Sequence, residues 1–311
     1  MISVIMAHYK REELLYRTLW GYRHLHTPEE LKNVEFVIVD DGGGISNTFW
    51  KVIKIHSRAL NITAAAMSEK TALGFKTHNT SGPMNFGIKL ATGDLFVLTN
   101  PENIPMTPHL LPEIYGLMKD KKNRHLSGNC YSLSEYSTSR FMNLDFSNKM
   151  RFLLAMEGLI PFEDKRFGAN GVHSGWRQHS EFVPNHFFFL ASIWKEPLFR
   201  MRGFDERFLQ GQGGEDVDFV NRVKKLGMEL FHTDDLLVIH QFHYGPDCHK
   251  LQPERIPAVA INKVFRLENA KDIKYVANTG KKWGAPESAS KIIRWHKDDK
   301  ALLDDLVGLV D

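Results

Sequence analysis

The sequence predicts an α/β fold with a mostly parallel central sheet flanked by helices. Three observations carry that prediction. First, Ser3–Ala7 and Val34–Val39 are apolar runs of strand length, and Leu14–Leu25 between them has apolar residues at helical spacing. Strand, helix, strand in that order means a parallel βαβ unit. Second, both strands run into polar turns, His8–Glu13 and Asp40–Gly44. In parallel sheets ligands bind beyond such carboxyl ends. Third, the pattern returns downstream. Asn85–Asp94 reads as a helix closing on Gly93, and Leu95–Leu98 as the strand that follows.

Composition sets the bounds. With 311 residues, 42% of them hydrophobic and 25% charged, the chain can bury a full core. A net charge of +3 is too small to name a partner. Only Cys130 and Cys248 are present, which excludes a disulfide framework and fits a reducing compartment. The longest apolar run, Phe187–Ile193, is strand-sized, so no transmembrane segment is expected. Ile2–Ala7 reads as a buried strand and not as a signal segment. A soluble cytoplasmic protein is the expectation.

The remaining elements follow in order. Residues 51–78 read as a helix and a short third strand, and Leu110–Lys121 as a helix. Residues 127–180 are polar and aromatic, with Gly168, Gly171 and Gly175, and show no readable element. Glu181–Trp194 reads as a strand entering a helix, its aromatic residues as core. Met228–Phe231 and Leu236–Ile239 read as two strands, the second ending in His240-Gln-Phe-His243. Residues 250–297 hold eleven Lys or Arg against four Asp or Glu. That excess is either a solvated surface or a seat for a diphosphate, an anionic membrane surface or a nucleic acid.

The chemistry concentrates in Gly203–Gly227. A Gly-Phe-Asp-Glu turn leads through Gly211, Gly213 and Gly214 to Glu215 and Asp216. Val217, Val220, Val223 and Leu226 then recur at helical spacing before Gly227 stops the helix. Two carboxylates therefore sit at a helix N-terminus, where the macrodipole favours negative charge. They are either simple acidic caps or ligand groups. Asp40 and Asp41 likewise either open a glycine turn or meet a ligand, and Asn100-Pro-Glu102 either makes a turn or binds. The two histidines at i, i+3 are satisfied core histidines or metal ligands.

This run resembles the acceptor-side motif of nucleotide-sugar glycosyltransferases with the GT-A fold. Family 2-type enzymes and the β-1,4-galactosyltransferase group carry a similar "G-F-D-E…G-G-E-D-x-[DE]". Other pieces resemble the family in the same order over residues 3–243. His8-Tyr-Lys-Arg11 stands at its "T-Y-N-R" turn, Val39-Asp-Asp-Gly42 at its "V-D-D-G", and Asn85–Asp94 at its "R-N-x-G-I-x-x-A-x-G-D" helix. Asn100 and Glu102 fall on the two acidic positions of the metal-binding D-x-D. His240 matches "V-x-H-x-x-R", which puts His243 at the arginine position.

The resemblance implies a GT-A domain over 1–245, with a nucleotide-binding half at 1–105 and an acceptor and catalytic half at 106–245. Residues 246–311 would be a basic C-terminal extension. It implies transfer from a uridine diphosphate sugar to a glycan or other hydroxyl-bearing acceptor, with inversion. Asp216 would be the general base and Glu215 would orient the acceptor or sugar. Ala7, His8, Tyr9, Asp40, Asp41, Asn85, Asn100, Gly213 and Gly214 would bind the donor. Glu102, His240 and His243 would hold Mn²⁺ or Mg²⁺, with Asn100 replacing one usual carboxylate. Asn278–Gly284 brings Lys and Trp together, a pair suited to cover a bound nucleotide, and it also resembles an "A-N-x-G-x-x-W-G" tail of some family 2-type sequences. Two rivals stand beside this reading. One is a non-catalytic nucleotide-sugar or nucleic-acid binder on the same fold; the other is a transferase acting on hydroxylated DNA bases.

Overall fold

Strand burial sets the architecture. β1 (Ile2–His8) and β2 (Val34–Asp40) are buried along their whole length, as befits strands covered on both faces. Between them lie α1 (Glu12–Leu25) and the short α2 (Pro28–Leu31), which Thr27 and Glu30 start with a capping box. The computed structural model describes residues 1–41, 46–67, 71–72, 75–76, 79–133, 138–139, 178–181, 184–243, 256–271, 274–284 and 289–295. Of these, 71–72, 75–76 and 289–295 are described as backbone. Gly42–Gly44, most of 127–180 and Cys248 lie outside this set.

After β2 come α3 (Asn47–Ser57), β3 (Asn61–Met67) and a small hairpin of β4 (Thr71–Ala72) and β5 (Phe75–Lys76). Then follow α4 (Ser81–Leu90), β6 (Leu95–Thr99), β7 (Asn103–Pro105), α5 (Leu110–Met118) and β8 (Arg124–Ser132). The second half holds β9 (Leu190–Trp194), α6 (Lys195–Met201), a 3-10 turn (Glu206–Gln210), α7 (Glu215–Lys225) and β10 (Glu229–His240). α8 (Ile256–Lys271) and β11 (Ala289–Trp295) complete the described chain. The main sheet runs β11-β3-β2-β1-β6-β9-β8-β10-β7. β3, β2, β1, β6, β8 and β10 share one direction, and β11, β9 and β7 oppose it.

Alternation along the strands divides the core. Val4, Met6, Phe36 and Ile38 pack with α1, α3 and α5 on one face. Ile5, Ala7, Val37 and Val39 pack with α4, α6 and α7 on the other. Gly87 lets α4 lie directly on β1, since a Cβ there would come within 2.7 Å of Ile5. Among the described residues no helix is long and apolar enough to cross a membrane.

Several boundaries differ from the sequence reading. Met228–Phe231 and Leu236–Ile239 belong to one strand, β10, because β8 pairs along both and an irregularity between Thr233 and Leu237 absorbs the polar middle. The strand expected from Glu181 begins at Leu190, and α5 ends at Met118. Gly93 does not cap α4; Ala91 does. Gly93 instead donates its N–H to Ser3 Oγ and to the buried Glu35 carboxylate, pinning the α4–β6 turn under β1 and β2. The segment after 245 also supplies the sheet's outermost strand, β11 on β3.

Candidate active site at the carboxyl edge of the sheet

Topology brings the candidate residues to one edge. β1, β2, β6 and β10 are parallel or share one direction, so His8, Asp40, the turn after Thr99 and His240 all emerge together. α4 runs back from that edge, which leaves its N-terminus there. Glu215 at the start of α7 is held to that N-terminus by Asn79 Nδ2 at 3.1 Å and Thr80 Oγ1 at 3.0 Å.

Glu102 stands in the turn between β6 and β7 and is buried. Ligand atoms of Glu102, His240 and His243 all lie within 4.8 Å of one another. His240 Nε2 is 3.5 Å and His243 Nε2 3.2 Å from Glu102 Oε1, and Arg11 Nη1 donates to the same oxygen at 2.8 Å. Gln241 fixes the pair of loops, its backbone N–H and side-chain amide both donating to the Glu102 carbonyl. Burial opposes ionisation of Glu102. The Arg11 charge and the two histidines outweigh it and hold the carboxyl well below the usual range. Burial pushes His243 down to about 4, so its imidazole is neutral near pH 7, the form that ligates metal. Glu102 Oε2 is buried without a hydrogen-bond partner. A carboxylate with an open oxygen beside two imidazoles fits a divalent cation, and the nitrogen donors favour Mn²⁺ over Mg²⁺.

At the next strand ends His8 and Asp40 are register partners, and His8 Nδ1 lies 2.7 Å from Asp40 Oδ1. The Arg11 N–H donates to His8 Nε2, so the ring proton sits on Nδ1 and is given to Asp40. An acid at a strand end before three glycines is expected to be exposed. The structure corrects this: Asp40 is 3% and Asp41 6% exposed. Ala7 is buried in β1, and Tyr9 is half-buried just beyond it. Asn100 is half-buried in the turn that carries Glu102, and its carbonyl accepts from Asn103 N–H.

The Gly203–Gly227 stretch forms the expected helix. Gly213 and Gly214 have φ of 71° and 88°, a left-handed path that only glycine takes freely, and Gly214 is the N-cap. Gly227 ends α7 in a Schellman motif, its N–H on Lys224 O and that of Met228 on Val223 O. Glu215 and Asp216 are half-buried. Burial, and then the Glu215 charge, raises Asp216 to about 7, and burial raises Glu215 as well. Desolvation and mutual repulsion thus exceed the help of the helix dipole. The third acid of the motif, Asp218, has a different task. It is buried in an ion pair with Arg222 at 2.8 Å and accepts from Asn269 Nδ2 at 2.6 Å.

Two expectations fail on burial. Asn85 is fully buried, donating to Phe204 O and Glu206 Oε1 and accepting from Phe204 N–H, so no atom faces a donor. It pins the glycine turn to α4 instead. The Asn278–Gly284 segment is a second clasp on that turn. Asn278 bonds Arg202 O, Phe204 O and Glu206 N–H, and Trp283 is buried against Phe199 and Lys89. Trp283 is not free to cover a nucleotide. Arg11, Gln241, Asn79 and Thr80 escaped the sequence reading. Arg11 alone had a signal, as the arginine of the turn after β1.

Comparison with known proteins bears on the fold. Residues 187–244 match the family described as the N-terminal domain of galactosyltransferase. That span includes β9, the glycine stretch, β10 and both histidines. The mannosyltransferase PcManGT from Pyrobaculum calidifontis, in complex with GDP-Man and Mn²⁺, superposes with a TM-score of 0.53 at 16% identity, over 88% of this chain and 65% of its own. S. aureus TarS 1–349 in complex with UDP gives 0.52 at 12%, over 78% and 60%. Its complex with UDP-GlcNAc gives 0.52 at 13%, over 78% and 59%. The chain thus spans less than two thirds of the length of these structures. Its mainly parallel sheet with flanking helices is the GT-A fold of glycosyltransferases.

Proposed function

We propose that the chain transfers a sugar from a nucleotide-sugar donor to an acceptor hydroxyl. The carrying observation is one sheet edge with two opposed carboxyl sites. Glu102 is held ionised between two histidines, and Asp216 is held back from ionising until about neutral pH. The donor is a uridine diphosphate sugar, as in the S. aureus complexes, with guanosine as the control because PcManGT carries GDP-Man. Ala7, His8, Tyr9, Asp40, Asp41 and Asn100 would border the nucleotide, Gly213 and Gly214 the sugar.

Mn²⁺ or Mg²⁺ would be held by Glu102, His240 and His243, where it would offset charge growing on the leaving diphosphate. Arg11, beside Glu102, adds a fixed positive charge to the same place. Asp216 takes the proton of the attacking hydroxyl, and Glu215 orients the acceptor. A base on the face opposite the leaving group gives a single displacement and inversion. Acceptor-free hydrolysis of uridine diphosphate sugars and of GDP-Man, with and without Mn²⁺, tests the reading. Nucleotide binding with no hydrolysis under any condition would favour the non-catalytic binder.

A further inference from the structure

α8 is built inside out. Its inner face presents Ala258, Asn262, Phe265 and Asn269 to the glycine stretch. Asn262 Nδ2 donates to Phe208 O at 3.0 Å and Gly213 O at 2.9 Å, and Ala258 O accepts from Gln212 N–H. Asn269 bonds Asp218 and Arg207. The outer face carries the aliphatic residues: Ile256 is 55% exposed, Val259 38%, Val264 52% and Leu267 51%. At roughly 100° per residue, their spacings of three, five and three keep all four on one side of the helix, opposite Ala258, Asn262 and Asn269. Among the described residues the other exposed large hydrophobics are Met1, Ile55, Tyr115 and Tyr275, so half of the set lies on this one helix. A helix shaped only by its own core would put asparagines outside and aliphatics inside.

Charge says what covers the stripe. Lys263 and Lys271 lie within it, and Lys274 and Lys282 follow; all four are exposed and make no ion pair among the described residues. The one acid of α8, Glu268, turns to Arg207 at 3.9 Å. A second copy of the face would bring like charges together. A nucleic acid would set phosphates against valine and leucine. Aliphatics flanked by unpaired lysines match an anionic bilayer, where the side chains enter the acyl boundary and the lysine stems reach back to lipid phosphates.

We propose that α8 docks this protein on an anionic lipid surface and that the acceptor hydroxyl is lipid-linked. The acceptor class rests on the sugar-transfer reading; the docking surface does not. Because the inner face of α8 is hydrogen-bonded to the Gly211–Gly214 loop, docking of the outer face would hold Glu215 and Asp216 one helix diameter, roughly 10 Å, from the membrane.

The test is flotation of the full chain with vesicles of phosphatidylcholine alone and of phosphatidylcholine mixed with phosphatidylglycerol. Binding to the mixed vesicles alone is expected. Val264→Glu with Leu267→Glu should weaken it at least about tenfold. Lys263→Glu with Lys271→Glu should weaken it about fivefold per lysine and reduce its salt dependence. Uridine diphosphate affinity by calorimetry should stay unchanged in both, which also shows that they fold. Three outcomes overturn the docking surface. They are no binding to mixed vesicles, variants that bind like wild type, and a wild-type dimer by light scattering that the glutamate variants split. Binding of a DNA duplex that needs the lysines but not Val264 and Leu267 would also overturn it. Vesicle binding without nucleotide binding overturns the acceptor class and keeps the surface.

Discussion

Glu102 and Asp216 are carboxyl groups at the same sheet edge, and their surroundings drive them in opposite directions. Both lose water on folding. Glu102 regains more than it loses, from Arg11 at 2.8 Å and from two imidazoles. Asp216 has only the helix N-terminus and the distant pull of Arg266, set against its neighbour Glu215. Burial alone therefore decides nothing; the partners do. One group is a standing anion that suits a cation. The other takes up a proton near neutral pH, the range that suits the general base proposed for it.

The largest expected effect removes the second group. Asp216→Asn should cut transfer by about 10²-fold or more and leave nucleotide affinity unchanged. Wild-type turnover should rise with pH through about 7 as Asp216 loses its proton, and the residual activity of the variant should lack that limb. Stability should move the other way. The folded value lies above the usual 3.8, so Asp216 contributes stability below that value which is lost as pH rises through about 7. Asp216→Asn should therefore raise the melting temperature at about pH 8 and leave it unchanged at about pH 4. A variant with wild-type turnover would end the general-base assignment.

Removing the first group should cost less. Glu102→Ala should weaken Mn²⁺ binding by at least the 10–100-fold, roughly, that losing a supporting partner costs a metal site. Transfer should then become insensitive to added Mn²⁺, measured by titration with and without chelator. An unchanged metal dependence would move the cation elsewhere and leave Arg11 to offset the leaving-group charge.

The same contrast separates what the sequence carries locally from what only the fold decides. The βαβ unit was legible because apolar runs and helical spacing do not depend on register. The family resemblance singled out Glu102, Glu215, Asp216 and His240, and the fold sets Glu102 beside His240 and Glu215 against the start of α4. The state of each carboxyl was not, because it depends on partners far along the chain: Arg11 is 91 residues from Glu102, and Asn79 136 from Glu215. Asn85 was misplaced because sequence puts it on a helix without saying that its face is turned to Phe204. His8 and Asp40 looked like two separate turn residues until the parallel register joined them.

That pairing changes what Asp40→Ala should do. The substitution strands the buried His8 Nδ1–H without an acceptor, a penalty of about 1–3 kcal/mol. The melting temperature should fall, together with any loss of uridine diphosphate affinity. His8→Asn, which keeps a donor beside Asp40, separates the two effects: its melting temperature should fall less than that of Asp40→Ala. Asp40→Ala with wild-type melting would show that the pair carries no load.

The smallest effect sharpens the Glu102 side. Asn100 stands two residues before Glu102 in one turn, where a carboxylate would be usual for the family it resembles. A neutral amide would give a cation an oxygen but no charge, so the proposed site would rely on one carboxylate and two imidazoles. Mn²⁺ and Mg²⁺ are commonly held by only one or two carboxylates plus substrate phosphates, which makes binding dependent on the nucleotide. Asn100→Asp adds a second charge and should tighten Mn²⁺ by less than about tenfold, with the larger gain in the absence of uridine diphosphate. Calorimetric titration of Mn²⁺ into wild type and variant, with and without uridine diphosphate, measures both. An equal gain in the two states would mean that the phosphates do not complete the shell. No gain in either would mean that residue 100 points away from Glu102, and that the turn, not a second ligand, is what the position supplies.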